Sequence, residues 1–330
     1  MNGCATRMFM TRMAHRSVNL SVCKFAESRH FSTHVDTALV LRHMRPSSPV
    51  MLDLTLGEGE IAQDLLQNSS GDVVGIDCDP TCMETISRLK KDFGDRFTGY
   101  LGKWSDVPRL MNQQKRHPSY DLVIMDTGVS SKQLLDKDRG FNMEGGGRLD
   151  MRFDKQGLTC EQLLKHVEMD NLSKILKVYG GVLKSKTIAR DILERKFLME
   201  EIETSDHLFE VLKDSHERDE FWQAKGDDLK HENIRKVFLG LRMFVNDEMN
   251  EMEFAIQLAE TVLNQGGLLV CGVTTDYERN MLKKYLFRKS ATVGEEEESN
   301  PVVKRVWEEV EGSGSGQSNG QGTCLILRKC

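Results

Sequence analysis

Short, mainly apolar runs recur along this chain, and segments with helical spacing separate them. The runs occupy 50–54, 72–77, 121–125, 267–273 and 324–328. Strands with one solvated face alternate apolar and polar residues, whereas strands covered on both faces read as continuous apolar stretches. Because helices are predicted between these runs, the pattern indicates a mainly parallel sheet with helices on both faces. The expected fold is therefore a doubly wound α/β domain.

A purely helical block interrupts this alternation between about 155 and 262. Helical spacing of apolar residues covers 160–166, 171–179, 186–196, 205–212 and 231–263. Because the sheet pattern resumes at Gly267, we interpret the block as an inserted domain. The expected organisation is a sheet domain in two parts, 33–140 and 241–330, around a helical insertion at 141–240. An acidic and Gly/Ser-rich segment, 294–322, is expected to be a flexible loop.

The first 31 residues differ in charge from the rest of the chain. They hold five basic residues and one acid, whereas the whole chain has a formal net charge of −6. Arginine-bearing, acid-poor N-termini with interspersed apolar residues are typical of mitochondrial transit peptides, so residues 1–31 are interpreted as one. A disordered basic tail is the alternative. The eight cysteines show no repeated C-x-x-C spacing, which argues against a zinc site and a disulfide scaffold.

A glycine turn follows the first predicted strand. Residues 57–62 read Gly-Glu-Gly-Glu-Ile-Ala and fit G-x-G-x-x-A, and Asp77 ends the next strand 20 residues after Gly57. Such turns bind NAD or S-adenosylmethionine, and they also occur with no ligand. Two acids, Glu58 and Glu60, would repel the pyrophosphate of a dinucleotide, whereas they suit a cationic sulfonium. Charge therefore favours S-adenosylmethionine over an NAD-dependent oxidoreductase.

Two longer motifs follow the third predicted strand. Residues 125–134 read MDTGVSSKQL, Arg-Gly-Phe follows at 139–141, and residues 148–154 read RLDMRFD. In these motifs the chain resembles the RsmH (MraW) family of methyltransferases, which modify N4 of a cytosine in small-subunit ribosomal RNA, and in particular the mitochondrial branch. The resemblance spans about 33–290. It implies a Rossmann-like class I S-adenosylmethionine-dependent methyltransferase with an all-helical insertion.

The resemblance also implies a set of cofactor contacts. Asp77 would hold the ribose hydroxyls, and Trp104 would pack on the adenine, although a core aromatic is the plain alternative for Trp104. Asp126 ends a strand at the edge of the sheet where ligands bind, with a helix cap as its alternative role. The full expected set is Gly57, Gly59, Glu60, Ile61, Asp77, Trp104, Asp126 and Gln133.

Three segments depart from the family pattern. The glycine turn at 56–61 lacks the second glycine of a Gly-Gly-His sequence, the segment 236–239 lacks Thr-Phe-Gln, and 272–278 lacks a histidine. A residue other than glycine at position 60 would be strained if its φ had to be positive. The departures support a second hypothesis, in which the chain is a weakly active or inactive RNA-binding assembly factor for the small ribosomal subunit.

The leading hypothesis is methylation of a cytidine of small-subunit rRNA in the mitochondrial matrix, in support of ribosome assembly. Methyl transfer to a weakly nucleophilic amine needs a hydrogen-bond acceptor, for which Asp126 is the first candidate and Asp150 the second. A basic stretch at 174–196 predicts RNA contacts, although a solvated helix face is the alternative. The predicted RNA-binding residues are Lys184, Lys186, Arg190, Arg139 and Arg152. We expect no metal and no membrane partner, and we leave a homodimer open.

Overall fold

The computed structural model describes residues 35–45, 47–113, 119–197, 201–273, 278–280, 282–283, 307–310 and 323–330. Within these ranges seven strands form one sheet in the order β3-β2-β1-β4-β5-β7-β6. The strands are β1 Val50–Asp53, β2 Asp72–Asp77, β3 Phe97–Leu101, β4 Tyr120–Asp126, β5 Leu263–Val273, β6 Trp307–Glu309 and β7 Thr323–Lys329. The first five pair in parallel, whereas β7 runs antiparallel to both β5 and β6. The predicted α/β class is confirmed.

Helices cover both faces of the sheet. They are α1 Thr37–His43, α2 Glu60–Asn68, α3 Cys82–Phe93, α4 Val107–Gln113, α5 Ser131–Leu135 and α12 Glu248–Val262. Successive side chains of a strand point to opposite faces, so the continuous apolar runs feed two cores. In β1, Met51 packs in the core that includes residues of α2, and Leu52 packs in the core that includes residues of α12. Burial on both faces explains why these strands do not alternate.

A third core belongs to the helices between β4 and β5. Those helices are α6 Cys160–His166, α7 Met169–Val178, α8 Ser185–Phe197, α9 Ser205–Arg218, α10 Glu220–Gln223 and α11 Asp227–Val245. Buried side chains of this core include Phe141 of the Arg-Gly-Phe segment and Leu149 and Met151 of the second motif loop, residues 148–154. The motif loops therefore pack on the helices as well as on the sheet. None of the helices among the described residues is long and apolar enough to cross a membrane.

The structure differs from the sequence interpretation at three places. Strand β3 was not predicted, and β6 lies within the segment 294–322 that was expected to be a flexible loop. The helix expected at 231–263 is two helices, because Asp247 adopts a left-handed conformation with φ of 52° between α11 and α12. Helix α11 also continues through the predicted domain boundary at 240. The predicted transit peptide, residues 1–31, and most of 294–322 lie outside the described residues.

Candidate active site

Three strands end in aspartates at the same edge of the sheet. Asp53, Asp77 and Asp126 are the last residues of β1, β2 and β4, and β1 lies between the other two strands. Parallel strands bring their carboxyl ends to one edge, which is where open α/β sheets bind ligands. Burial, followed by the charges of Asp77 and Asp126, raises the pKa of Asp53 to about 7. This set of three aspartates, here termed the acidic edge, therefore favours a cationic ligand.

Asp53 links the acidic edge to the backbone of Asp126. Its Oδ1 accepts hydrogen bonds from the amide N of Thr55 at 2.9 Å and from the Thr55 hydroxyl at 3.4 Å. The same hydroxyl accepts a hydrogen bond from the amide N of Asp126 at 2.9 Å. Oδ2 of Asp53 is buried and has no hydrogen-bond partner among the described residues. A buried carboxylate oxygen without a donor is costly, so a cation beside it would stabilise it.

The glycine turn is held by Asp77. Oδ2 of Asp77 accepts a hydrogen bond from the amide N of Gly57 at 2.8 Å, and Oδ1 accepts one from the amide N of Asp79 at 2.8 Å. Burial raises the pKa of Asp77. Gly59 precedes α2 with φ of +80°, and a Cβ there would lie 2.7 Å from Cγ2 of Thr85. The carboxylate of Asp77 retains acceptor sites beyond these two bonds, so ribose binding stays a prediction.

The two residues after this turn lie within α2. Glu60 is exposed in its first turn and has no positive φ, so the strain expected for a residue other than glycine at this position is absent. Ile61 is 4 % exposed and packs in the core beneath the sheet. Because its side chain is taken up by this core, the backbone of Ile61 is the part left for the predicted cofactor contact.

Trp104 lies close to the end of β1. Its Nε1 donates a hydrogen bond of 2.5 Å to the carbonyl of Leu54, and its half-buried ring packs against the core. The residue follows β3, which places it beside the strand ends that carry Asp53 and Asp77. This position is compatible with the predicted adenine contact, and it also accounts for the core role weighed as the alternative.

A buried cluster at Asp79 fastens the first motif to the sheet. Oδ2 of Asp79 accepts hydrogen bonds of 2.7 Å from Nε2 of Gln133 and from Nη1 of Arg139. Burial acts to raise the pKa of Asp79, but the hydrogen bonds from Gln133, Thr81 and Arg139 together hold it below its ordinary value. The Oε1 atom of Gln133 also accepts the amide N–H of Ser130. The predicted cofactor contact of Gln133 therefore competes with two structural hydrogen bonds.

The prediction that Arg139 contacts RNA is wrong. Its side chain is 5 % exposed, so it cannot reach a phosphate backbone. Besides Asp79, its guanidinium donates to the carbonyls of Arg152 and Phe153 at 2.8 and 3.0 Å. Arg139 instead connects the second motif loop to Asp79, which lies two residues after the end of β2.

The second motif loop, residues 148–154, is held from the helical side as well. Asn246, between α11 and α12, accepts a hydrogen bond from the amide N of Phe153 at 2.7 Å. Its Nδ2 donates to the carbonyl of Met151 at 2.6 Å. On the sheet side, Lys103 forms a salt bridge of 3.0 Å with Asp154. The loop thus bridges the sheet and the helices.

Asp150 and Arg152 form a bidentate pair within this loop. Two hydrogen bonds of 2.7 Å join Nε and Nη2 of Arg152 to the two oxygens of Asp150. Burial acts to raise the pKa of Asp150, but the hydrogen bonds and the charge of Arg152 lower it below its ordinary value. A carboxylate already neutralised in this way is a poor acceptor for developing positive charge. Asp126 is therefore the better candidate for that role, and Arg152 is not a free cation for RNA.

Ion pairs also occupy part of the basic segment. Lys184 binds both oxygens of Asp219 at 2.6 and 2.8 Å, and Arg190 lies 3.4 Å from Asp191. Lys186 is exposed, and no acid pairs with it in the described ranges. Of the helix cations predicted to contact RNA, Lys186 is thus the one most available to do so.

Sequence reasoning missed three residues that organise this site. Asp53 and Thr55 flank the end of β1, and Asp79 anchors the two motifs. The sequence does indicate Asp53, because this residue lies at the end of a predicted strand, as Asp77 and Asp126 do. Nothing comparable indicates Asp79, since its importance depends on contacts with residues more than 50 positions later.

Comparison with known proteins assigns the chain to a family. The family model described as the MraW methylase family matches residues 27–306. The chain belongs to the MraW methylase family. Membership confirms the predicted enzyme class, a methyltransferase, and the predicted cofactor, S-adenosylmethionine.

Relatives of the chain include bacterial and animal members of the MraW family. Ribosomal RNA small subunit methyltransferase H of Rickettsia typhi is 29 % identical over 73 % of this chain and 74 % of its own length. The enzyme of the same name from Parvibaculum lavamentivorans is 30 % identical over 80 % and 76 %. A methyltransferase-like protein 15 homologue of Drosophila melanogaster is 29 % identical over 78 % and 73 %.

The acidic edge fits the cofactor of the MraW family. S-adenosylmethionine carries positive charge on its sulfonium and its ammonium group. The buried Oδ2 of Asp53, which lacks a donor within the described chain, and the carboxylates of Asp77 and Asp126 suit such a ligand. Asp77, Trp104 and the glycine turn are the residues that would hold it.

Proposed function

We propose that this chain methylates N4 of a cytidine in mitochondrial small-subunit rRNA. The observation that carries the proposal is the acidic edge, together with the two motif loops fastened beside it through Asp79 and Arg139. Membership of the MraW family supports methyl transfer. The names of the bacterial relatives support small-subunit rRNA as the substrate, and the motif resemblance supports N4 of a cytidine.

The chemistry requires an acceptor beside the target amine. The exocyclic amine of cytosine is a poor nucleophile because its lone pair is delocalised into the ring. S-adenosylmethionine supplies an electrophilic methyl group when bound. Asp126 would accept a hydrogen bond from the amine and stabilise the positive charge that develops on its nitrogen. Thr55 fixes the backbone of Asp126 in place, which favours a precise alignment of the reacting atoms.

We place this activity in the mitochondrial matrix on the composition of residues 1–31, which lie outside the described part of the chain. A fluorescent fusion of the full chain is expected to co-localise with a matrix marker, and a fusion that lacks residues 1–31 is expected to remain outside. Equal mitochondrial import of both fusions would contradict the transit-peptide interpretation.

Methyl transfer is tested on small-subunit rRNA made without modification. The wild-type chain with S-adenosylmethionine should produce N4-methylcytidine, detected by mass spectrometry of nucleosides. At saturating cofactor, Asp126→Asn should lower the rate about a hundredfold or more, whereas Asp150→Asn should lower it less. Exposed Asp72→Asn, at the other end of β2, is the control. Wild-type protein that binds this RNA but leaves it unmethylated would favour the assembly-factor hypothesis instead.

A further inference from the structure

A partly exposed aromatic pair lies where α7 meets α11. The ring centroids of Tyr179 and Phe244 are 5.8 Å apart in an edge-to-face arrangement of 74°. Tyr179 is half-buried at the end of α7, and Phe244 is 37 % exposed near the end of α11. Val178, 51 % exposed, lies beside Tyr179 in sequence. Together these side chains present an apolar, aromatic surface to solvent.

Two glycines bring the rings together. A Cβ on Gly180 would lie 2.2 Å from the carbonyl O of Lys236, and a Cβ on Gly240 would lie 2.9 Å from the amide N of Gly180. The end of α7 therefore contacts the backbone of α11 directly. Phe244 is one helical turn beyond Gly240, which places its ring next to Tyr179.

Packing does not account for Phe244. Leu241 is buried in the helical core, and Val245 and Tyr179 pack against it, whereas Phe244 keeps more than a third of its surface in solvent and contacts that core through the ring of Tyr179. An exposed ring that contributes little to a core suggests an external partner.

Two exposed lysines precede Tyr179 on α7, and one exposed acid, Asp247, follows Phe244 by three residues. Lys174 and Lys177 lie on the exposed face of α7 that leads to Tyr179, and no acid pairs with either of them in the described ranges. Lys184, in contrast, is engaged by both oxygens of Asp219. An acid on this helix, Asp170, lies in its first turn, at the end far from Tyr179. Free cations beside aromatic faces match the phosphates and bases of a single strand.

The pair is connected to the candidate active site. Asn246, two residues after Phe244, binds Met151 and Phe153 of the second motif loop. Arg242, one helical turn before Asn246, lies over the ring of Phe153 at 5.9 Å. Phe153 in turn accepts a hydrogen bond from Arg139, which binds Asp79 beside the acidic edge. The helix that carries Phe244 therefore also holds the second motif loop.

We infer that Tyr179 and Phe244 form a stacking platform for an unpaired base of the RNA substrate, with neighbouring phosphates on Lys174 and Lys177. The inference deepens the proposed function, on which it rests for the class of ligand. It assigns the pair to single-stranded RNA that flanks the target nucleotide, since duplex bases expose no face to an aromatic ring.

The test uses the full chain and a fluorescently labelled single-stranded RNA oligonucleotide that contains 2-aminopurine, whose emission falls when the base stacks. Phe244→Leu should weaken binding about tenfold in fluorescence anisotropy and abolish the quenching, because stacking on an aromatic ring is lost. Phe244→Trp should retain both. Phe221→Leu, at a ring of similar exposure on α10, is the matched control and should change neither. Lys177→Glu should weaken binding severalfold, whereas exposed Lys91→Glu on α3 should not.

Unchanged affinity and quenching in Phe244→Leu and Tyr179→Leu would overturn the inference and leave the surface to a protein partner. Tm and S-adenosylmethionine affinity, measured on each variant, separate lost stacking from misfolding. Loss of quenching in Phe244→Leu supports the platform even if the wild-type chain leaves rRNA unmethylated, in which case the proposed function alone fails. Methylation by the wild type with no effect of Phe244→Leu on binding would refute the platform alone.

Discussion

At the residue scale the site depends on a carboxylate that the structure buries without a full set of donors. Asp53 is 1 % exposed and lies beside Asp77 and Asp126. Its charged form is disfavoured by burial and by these like charges, so the folded chain holds a proton on it to higher pH than the unfolded chain does. A cation bound at the acidic edge would relieve both effects.

This burial predicts a pH dependence of stability. A carboxyl whose folded pKa of about 7 exceeds its unfolded value contributes stability that is complete below the unfolded pKa and is lost as pH rises through 7. Asp53→Asn should remove this loss, so that between pH 5 and pH 8 its free energy of unfolding falls less than that of the wild type, by about 2–3 kcal/mol. Urea unfolding at the two pH values measures the difference. Parallel pH profiles for the wild type and Asp53→Asn would refute it, and exposed Asp72→Asn is the control.

The sequence predicts a residue's role when that role depends on its near neighbours in the chain, and it fails when the role depends on distant contacts. Asp77 and Asp126 were identified because each ends an apolar strand. Arg139 was predicted to contact RNA because it lies close to the motif loop in sequence, and its burial follows from contacts with Asp79, 60 residues earlier in the chain. Position 60 would be strained only if its φ had to be positive, and Glu60 instead lies in the first turn of α2 without a positive φ.

At the element scale the two motif loops act as a clamp between the sheet and the helices. Arg139 and Asp79 form its buried centre, and Asn246 and Lys103 hold its two sides. Removal of one member of a buried ion pair leaves the other charge without a partner, which is more costly than the net value of the pair.

Arg139→Met should therefore destabilise the chain by about 3–5 kcal/mol, as measured by urea unfolding. The control is Arg148→Met, because the Arg148 side chain is 77 % exposed. This substitution should change the free energy of unfolding by less than about 0.5 kcal/mol. If Arg139→Met were as stable as the wild type yet bound RNA more weakly, the original assignment of Arg139 to RNA would be restored.

Helix α2 provides a second prediction at this scale. Because Glu60 has helical geometry, Glu60→Gly should lower the free energy of unfolding by about 0.5–1 kcal/mol, in line with the lower helix propensity of glycine. Were Glu60 strained in solution, the same substitution would stabilise the chain. Thermal or urea unfolding distinguishes the two signs.

The elements that the sequence did not predict share a physical reason. Strands β3 and β6 lie at the two edges of the sheet, so few of their side chains are buried and neither reads as an apolar run. The interior strands β1, β2, β4, β5 and β7 were all recognised. The break between α11 and α12 was missed because apolar spacing continues through Asn246, whose side chain binds a loop more than 90 residues earlier.

At the scale of the whole molecule, local cationic surfaces contrast with an overall acidic chain. The formal net charge is −6, and several helix cations are engaged in ion pairs. The RNA binding that we propose would therefore depend on a few unpaired lysines and on aromatic faces rather than on a broad basic surface. Together, an acidic edge that suits a cationic cofactor and a surface that suits RNA fit the proposed transfer of a methyl group to RNA.

The central claim, that the acidic edge binds S-adenosylmethionine, is tested most directly by calorimetric titration of the purified chain. We expect micromolar binding for the wild type and its loss in Asp77→Ala, because that carboxylate holds the glycine turn and faces the ligand edge. Asp72→Ala, at the exposed start of the same strand, should bind as the wild type does. No binding at millimolar cofactor by a folded wild-type chain would contradict the account.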